Sequence, residues 1–313
     1  MKARIVVCCS VIASLLAPWV PVEAAARVSK VPQPQLPDIE QTVVFYDALD
    51  FKQKGSFTFA APKQGLSMAL TDFGLDGKDE LVVGSGKGEA PEVLFLRTDG
   101  SELKRLSVYT HYYRGGVNVA VGDIDGNGSK EVITGTRDGG GPHVRIFLFS
   151  GELASEWFAY PASTRTGVSI AAGDVNKQYD GDEVITAPGE GEPALLRVFT
   201  SRGQLLNEWY PFGEDYIGGL NISVTPNGWI LASRAFGASP MVRAYDAAGS
   251  LQSEFLAYFE QFAGGVQSVS FMHGWQSVVL TVPGMTGGPH VRAFYLDGSP
   301  LNPGFMALDG KVK

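Results

Sequence analysis

Cysteine is almost absent. Cys8 and Cys9 are the only two in 313 residues, and both lie within the first ten positions. The rest of the chain therefore has no disulfide, no thiolate metal site and no cysteine nucleophile. Charge is also sparse: Asp, Glu, Lys and Arg make up 19% of residues, which excludes a disordered or coiled-coil composition. The formal net charge is −8 and no long basic run occurs. Nucleic acid is not expected as a partner, because phosphate binding needs clustered Lys and Arg. Beyond the N-terminus no stretch holds a helical period, and none is apolar enough to span a membrane. The usual catalytic signatures are missing as well. There is no Gly-x-Ser-x-Gly elbow, no His-Glu-x-x-His and no Lys-bearing phosphate loop. Gly86-Lys87-Gly88 is too short for one. Glu190 and Glu192 are neighbours in sequence, whereas acid–base catalysis needs groups that face each other.

What is present begins with a leader-like segment. Lys2 and Arg4 precede an apolar stretch at 5–17, Pro18 and Pro21 break it, and Ala24-Ala25-Ala26 offers a small-residue cleavage site. Residues 1–26 read as a signal peptide, with an uncleaved anchor as the alternative. The protein is expected to be secreted, periplasmic or on the cell surface, with no membrane span in the mature chain. Residues 27–42 carry Pro32, Pro34 and Pro37 without any period and read as an extended linker.

From residue 43 the chain repeats itself. A β-rich run recurs as Val43-Val44-Phe45-Tyr46, Val93-Leu94-Phe95-Leu96, Val144-Arg145-Ile146-Phe147, Leu196-Arg197-Val198-Phe199, Val242-Arg243-Ala244-Tyr245 and Val291-Arg292-Ala293-Phe294. Counted from the second residue of each, the intervals are 50, 51, 52, 46 and 49. Each run enters a Gly turn and a second strand rich in aromatics, as in Glu156-Trp157-Phe158, Glu208-Trp209-Tyr210 and Glu254-Phe255-Leu256, which makes a hairpin. Between these lies a second hairpin type, clearest at Gly116-Val117-Asn118-Val119-Ala120-Val121-Gly122-Asp123 and Glu131-Val132-Ile133-Thr134-Gly135, with relatives at Gly65, Gly167, Gly219 and Gly265. Four short antiparallel strands per repeat of about 50 residues is the pattern of propeller blades. The expected fold is an all-β propeller over residues 43–310 with five or six blades. Six outer hairpins but five inner ones leave the N-terminal hairpin over. It either completes a blade with the C-terminal segment or forms a reduced sixth blade.

One turn carries distinctive chemistry. Asp123-Ile124-Asp125-Gly126-Asn127-Gly128-Ser129-Lys130-Glu131 places side-chain oxygens at positions 1, 3, 5 and 9, with the backbone carbonyl of Ser129 available at position 7. Ca²⁺ takes six to eight hard oxygen ligands in flexible geometry, and a glycine-bearing loop can wrap it. Asp123, Asp125, Asn127, Ser129 and Glu131 are the leading candidates, against the plainer reading of an acidic turn without metal. The first repeat offers Asp72, Asp76 and Glu80, with Gly74 at the second ligand position. The third offers Asp174, Asn176, Asp180 and Glu183, one residue out of register. The fourth and fifth, at Thr225-Pro226-Asn227-Gly228 and Met272-His273-Gly274-Trp275, have lost the loop.

The Asp-x-Asp-x-Asn loop, Gly135 and Gly139-Gly140-Gly141-Pro142-His143-Val144-Arg145, with Gly287-Gly288-Pro289-His290-Val291-Arg292 in the last repeat, resemble the FG-GAP/VCBS repeats of bacterial secreted proteins. These are similar to the integrin α-subunit propeller. The resemblance implies a propeller with Ca²⁺ in such turns and no single activity. His143 and His290 are expected as strand-start residues. Arg145, Arg197, Arg243 and Arg292 are expected between blades, with stems packed and heads bonded. The repeated aromatics are expected as inter-blade core, and Trp229 and Trp275 are the better candidates for exposed contacts. The function expected is a calcium-stabilised, non-catalytic binding or adhesion module for an extracellular glycan or protein. The rivals are a propeller enzyme acting on polysaccharide or phosphoester substrates, and a structural envelope-assembly protein.

Overall fold

Short apolar runs divided by glycine turns bury both faces only when sheets stack against one another. The computed structural model, which describes residues 4–10, 39–47, 53–61, 67–284, 290–301 and 304–306, is a ring of five four-stranded antiparallel blades. A three-stranded sheet precedes them: β1 (Arg4–Ser10), β2 (Ile39–Asp47) and β3 (Gln53–Ala61). Blade one is β4 (Ser67–Thr71), β5 (Glu80–Gly84), β6 (Glu92–Arg97) and β7 (Glu102–Ser107). Blade two is β8 (Val117–Gly122), β9 (Glu131–Thr136), β10 (His143–Phe147) and β11 (Leu153–Phe158). Blade three is β12 (Val168–Gly173), β13 (Glu183–Pro188), β14 (Leu196–Phe199) and β15 (Leu205–Trp209). Blade four is β16 (Leu220–Val224), β17 (Ile230–Arg234), β18 (Met241–Tyr245) and β19 (Leu251–Leu256). Blade five is β20 (Val266–His273), β21 (Gln276–Pro283), β22 (His290–Tyr295) and β23 (Phe305–Met306). No helix occurs among the described residues.

The ring settles the blade count at five. It also corrects one expectation for the N-terminal hairpin. The last blade takes its own C-terminal strand, β23 against β22, so β2 and β3 do not complete it. The strand β2 starts at Ile39, inside the stretch read as linker. Arg4–Ser10, inside the leader, is a strand paired with β2 from Arg4↔Asp47 to Ser10↔Gln41. The remaining leader features, the linker prolines, Gly65 and Gly287-Gly288-Pro289 lie outside the described residues.

The core sits between blades. Val132, Val119 and Phe147 of blade two pack with Val82, Val93 and Phe95 of blade one. Ile133, Ile146 and Ile170 join blades two and three, and Ile185, Leu196 and Ile230 join three and four. The second strand of each of blades one, two and three is buried along its length, because a neighbour covers either face. The predicted arginines clamp the junctions. Arg145, Arg197 and Arg243 each hold a glutamate of the outer strand at 2.7–2.8 Å through Nε: Glu156, Glu208 and Glu254. Each also donates through a terminal nitrogen to the carbonyl of Val108, Ala159 or Pro211, at the end of the blade before. Arg292 keeps the carbonyl contact, to Ala257 at 2.6 Å. Trp157, Tyr160, Trp209, Phe255 and Tyr258 belong to the same joints, as expected, whereas Phe158 is exposed. A β-carbon on Gly203 of blade three would stand 2.7 Å from the Trp157 ring of blade two, which is why a glycine holds that turn.

Candidate metal centre and loop face

The candidate loop of blade two joins β8 to β9 and is fixed at three points. Ile124 is its anchor, buried in the core shared with blade three. The buried Glu131 accepts the Ile124 N–H at 2.9 Å through Oε2. Asp123 Oδ2 accepts the Gly128 N–H at 2.9 Å and closes the turn. Together these bring carboxylate oxygens of Asp123, Asp125 and Glu131 within 4.8 Å of one another. Asp123 Oδ1 is buried and meets no hydrogen-bond donor. A carboxylate oxygen in that state carries a desolvation cost that only a donor or a cation relieves. A hard divalent ion suits an all-oxygen set of this kind.

Electrostatics agree with the geometry. Burial raises the Glu131 carboxyl above the ordinary carboxylate range, and the charges of Asp125 and Asp123 add to the rise. The other two predicted ligands are engaged in the loop itself. Asn127 Oδ1 accepts the Ser129 N–H at 2.7 Å, and Asn127 Nδ2 donates to Asp125 Oδ2 at 2.9 Å. Neither Asn127 nor Ser129 adds a charged ligand, so the acidic three are the nucleus of the site. The sequence reading missed Asp182. It comes from blade three, accepts the Asp123 N–H at 2.8 Å and is raised chiefly by burial. No spacing rule finds it, because it is 59 residues away in the chain.

The other acidic loops are built alike and finished differently. In blade one, both oxygens of Asp72 are taken by backbone N–H groups, those of Asp76 at 3.1 Å and Gly77 at 2.8 Å. Asp76 pairs with Lys78, and Glu80 accepts the Phe73 N–H at 2.9 Å. Leu75 adopts φ 52° there, at the position that Gly126 fills in blade two at φ 71°. In blade three, Glu183 accepts both the Val175 and Asn176 N–H groups, at 3.0 and 2.9 Å. Lys177 places its ammonium on Asp174, although Asp174 Oδ1 is buried and unmatched like that of Asp123. Asp180 is exposed. Among the described residues, Asp72, Asp76 and Glu80 do not converge as the blade-two group does, nor do Asp174, Asp180 and Glu183.

His143 and His290 begin β10 and β22, as expected, and their carbonyls accept the hydroxyls of Tyr109 and Tyr258 at 2.9 and 2.8 Å. His143 also meets Glu156 at 3.0 Å, while burial and the neighbouring Arg145 hold its imidazole below the ordinary value. Of the two tryptophans expected to be exposed, Trp275 is, at 98%. Trp229 instead packs against the core of Leu231, Ala244 and Val279.

A second feature lies at the opposite end of the strands, where the connections from second to third strands and from outer to next inner strands run. Ile217, Phe236 and Phe259 are 51%, 39% and 68% exposed. Their loops are joined by hydrogen bonds to backbone carbonyls. Tyr216 donates to the Phe236 carbonyl at 3.0 Å, Gly237 to that of Ala263 at 3.0 Å, and Gly191 to that of Ile217 at 2.8 Å. The same connections carry Glu190, Glu192, Glu214, Asp215 and Glu260. Apolar residues beside glycines in loop segments were the available signal for this patch.

No sequence family matches the chain, and no curated protein matches it in sequence. Solved structures do match in shape. The β-propeller domain of Cps50 (Swd1) from Myceliophteria thermophila is 11% identical, with a TM-score of 0.51 over 86% of this chain and 82% of that one. The Dos1 propeller is 14% identical, with a TM-score of 0.47 over 87% of this chain and 68% of that one. An exotype rhamnogalacturonan lyase, YesX, is 13% identical, with a TM-score of 0.40 over 87% and 66%. Likeness at this identity concerns the fold alone.

Proposed function

We propose that this protein is a secreted, calcium-stabilised propeller of the FG-GAP/VCBS type that acts as a non-catalytic binding module for an extracellular glycan or protein. The observation that carries the reading is the set of exposed apolar residues Ile217, Phe236 and Phe259 on hydrogen-bonded neighbouring loops that also carry carboxylates. Exposed rings give a sugar or an apolar side chain a stacking surface, and adjacent carboxylates give hydroxyl or cationic groups their acceptors. Tyr112, 83% exposed on the connection from blade one to blade two, extends the same end of the ring. Calcium belongs to the opposite end. Asp123, Asp125 and Glu131 would hold it, and the ion would neutralise their mutual repulsion and pin the loop to blade three through Asp182. Its role there is to stiffen the scaffold behind the binding face.

The test is a glycan-array screen of the exported protein, run in Ca²⁺ and again in EDTA, with a Phe236→Ala/Phe259→Ala variant alongside. Saturable binding that the double variant loses by about tenfold or more supports the reading. Binding that the double variant retains would remove the patch from it.

A further inference from the structure

The loop face of the ring is divided by charge. On blades one and two and the connection to blade three, its loops carry Lys87, Arg114, Arg137 and Arg165 against Glu89 and Asp138. On blades three and four and the connection to blade five, they carry Glu190, Glu192, Glu214, Asp215 and Glu260, and residues 189–195, 210–219, 235–240 and 257–265 contain no Lys or Arg. Each arc is held together by its own backbone. Gly88 donates to the Arg114 carbonyl at 2.7 Å and Gly167 to that of Gly140 at 3.2 Å on the basic arc. Gly191 and Gly237 do the same for Ile217 and Ala263 on the acidic one. Arg234, at the end of β17, turns its guanidinium onto the rings of Phe212 and Tyr216, at 4.7 and 5.4 Å, and onto the Ser239 hydroxyl rather than onto one of these acids.

The division follows one repeat position. Each connection from an outer strand to the next inner strand ends in a glycine of positive φ: Gly116, Gly167, Gly219 and Gly265. Two residues before it stand Arg114, Arg165, Ile217 and Ala263, all four exposed. Arg114 and Arg165 each fold a terminal nitrogen back on their own loop, onto the carbonyls of His111 and Tyr113 and of Ala162 and Thr164. That holds the two guanidiniums at the surface without a carboxylate partner among the described residues, unlike Arg145, Arg197 and Arg243 in the blade joints. Both arcs also present apolar surface. Tyr112 and Phe158 of the basic arc are 83% and 57% exposed, and Ile217, Phe236 and Phe259 stand on the loops that carry the acids. A β-carbon on Gly141 would lie 3.6 Å from the Phe158 ring and 4.0 Å from an Arg165 terminal nitrogen, so this ring and this cation are neighbours.

We propose that this face is an interface with a second copy of the chain, joined face to face about a two-fold axis that runs along the division between the arcs. Such an axis carries each arc of one copy onto the opposite arc of the other, so basic loops meet acidic loops twice. The sign split selects this occupant. A polyanion is repelled by Glu190, Glu214, Asp215 and Glu260, and a cationic partner by Arg114 and Arg165. A neutral sugar makes no use of the split. A surface that carries both signs in the matching order meets both demands, and this face is one by symmetry. Exposed ion pairs are weak singly, so the apolar residues supply most of the affinity and the charges set the register. The inference rests on the reading of this face as the interaction surface and adds its regulation: the dimer covers Phe236 and Phe259, so a glycan and a second copy compete.

The experiment is sedimentation velocity of the full chain, in reductant, over a concentration series. The expected result is a dimer with a Kd below about 100 μM at low salt, weakened about tenfold or more in about 0.5 M NaCl. Arg114→Glu/Arg165→Glu makes both arcs acidic, and Glu190→Lys/Glu214→Lys/Asp215→Lys/Glu260→Lys makes both basic. Each variant alone should be monomeric. An equimolar mixture should recover the dimer, since each reversed arc then meets a matching one. No dimer at about 100 μM, or a dimer that either variant retains alone, overturns the proposal. So do two monomeric variants, folded by circular dichroism, that recover no dimer when mixed. The glycan-array result is separate: a glycan bound by a protein that never dimerises leaves the binding reading standing and sinks this one, and a dimer that binds no glycan leaves this one standing without a sugar ligand.

Discussion

Blades one to three and blades four and five solve the same local problem by opposite chemistry. Each must close the connection between its first two strands and tie it to the core. In the first three, the second strand opens with a buried glutamate: Glu80, Glu131 and Glu183. Its carboxylate gathers backbone N–H groups of a long loop. Strand registers put Trp229 at that position in blade four and Val278 in blade five. There the loop shortens, and apolar packing replaces the carboxylate. A buried acid needs donors and invites a cation, while the half-buried Trp229 and the buried Val278 need only neighbours. The acidic design gives the molecule a place where ion binding can alter stability, and the apolar design gives one that is indifferent to ions.

Experiments can break that contrast. The largest expected effect is on calcium. Saturating Ca²⁺ should stabilise the protein by about 2–3 kcal/mol through mass action, seen as a higher unfolding midpoint than in EDTA, and Asp123→Ala should erase the difference. An equal calcium shift in the variant would place the ion elsewhere. Next, Glu183→Ala leaves the Val175 and Asn176 N–H groups unmatched and should cost about 2 kcal/mol whether or not calcium is present. Val278→Ala should cost about 1–2 kcal/mol by cavity formation, and urea titration separates the two.

A third test uses pH. Burial raises the carboxyls of Glu131, Asp182 and Glu183 in the folded state. Folded protein therefore holds protons that unfolded chain has released. Their contribution to stability is full below the unfolded value and is lost, in EDTA, as pH rises from the ordinary carboxylate range through the raised folded values. Calcium should flatten or reverse that slope, and an unchanged slope in Ca²⁺ would sever the acids from the ion. The smallest effect is Leu75→Gly, which relieves a left-handed backbone and should stabilise blade one by about 1 kcal/mol in thermal unfolding.

Much of this contrast was legible in the chain. Asp123, Asp125 and Glu131 are close in sequence, and a tight turn can only gather them. The loss of acids at Thr225 and Met272 was equally plain. The arginine clamps and inter-blade aromatics followed from repeat position, since residues recurring once per blade meet the same neighbour each time. Trp229 was misjudged because sequence shows what replaces a loop but not which way the replacement turns. It takes the strand position held elsewhere by a glutamate and packs its ring, half-buried, against the core.

The sequence by itself determined the repeat length, the four-stranded unit and the propeller class, and it offered three acidic loops with that of Asp123 foremost. These rest on local pattern: alternation, turn glycines and spacing. The tertiary structure alone decided the ring of five, the strand that completes the last blade and the placement of Asp182 on a neighbour's loop. It also decided that Asp72 spends both oxygens on its own backbone while Asp123 keeps one unmatched. All of these depend on which blade lies beside which and how far apart, and such distances arise only when the ring closes.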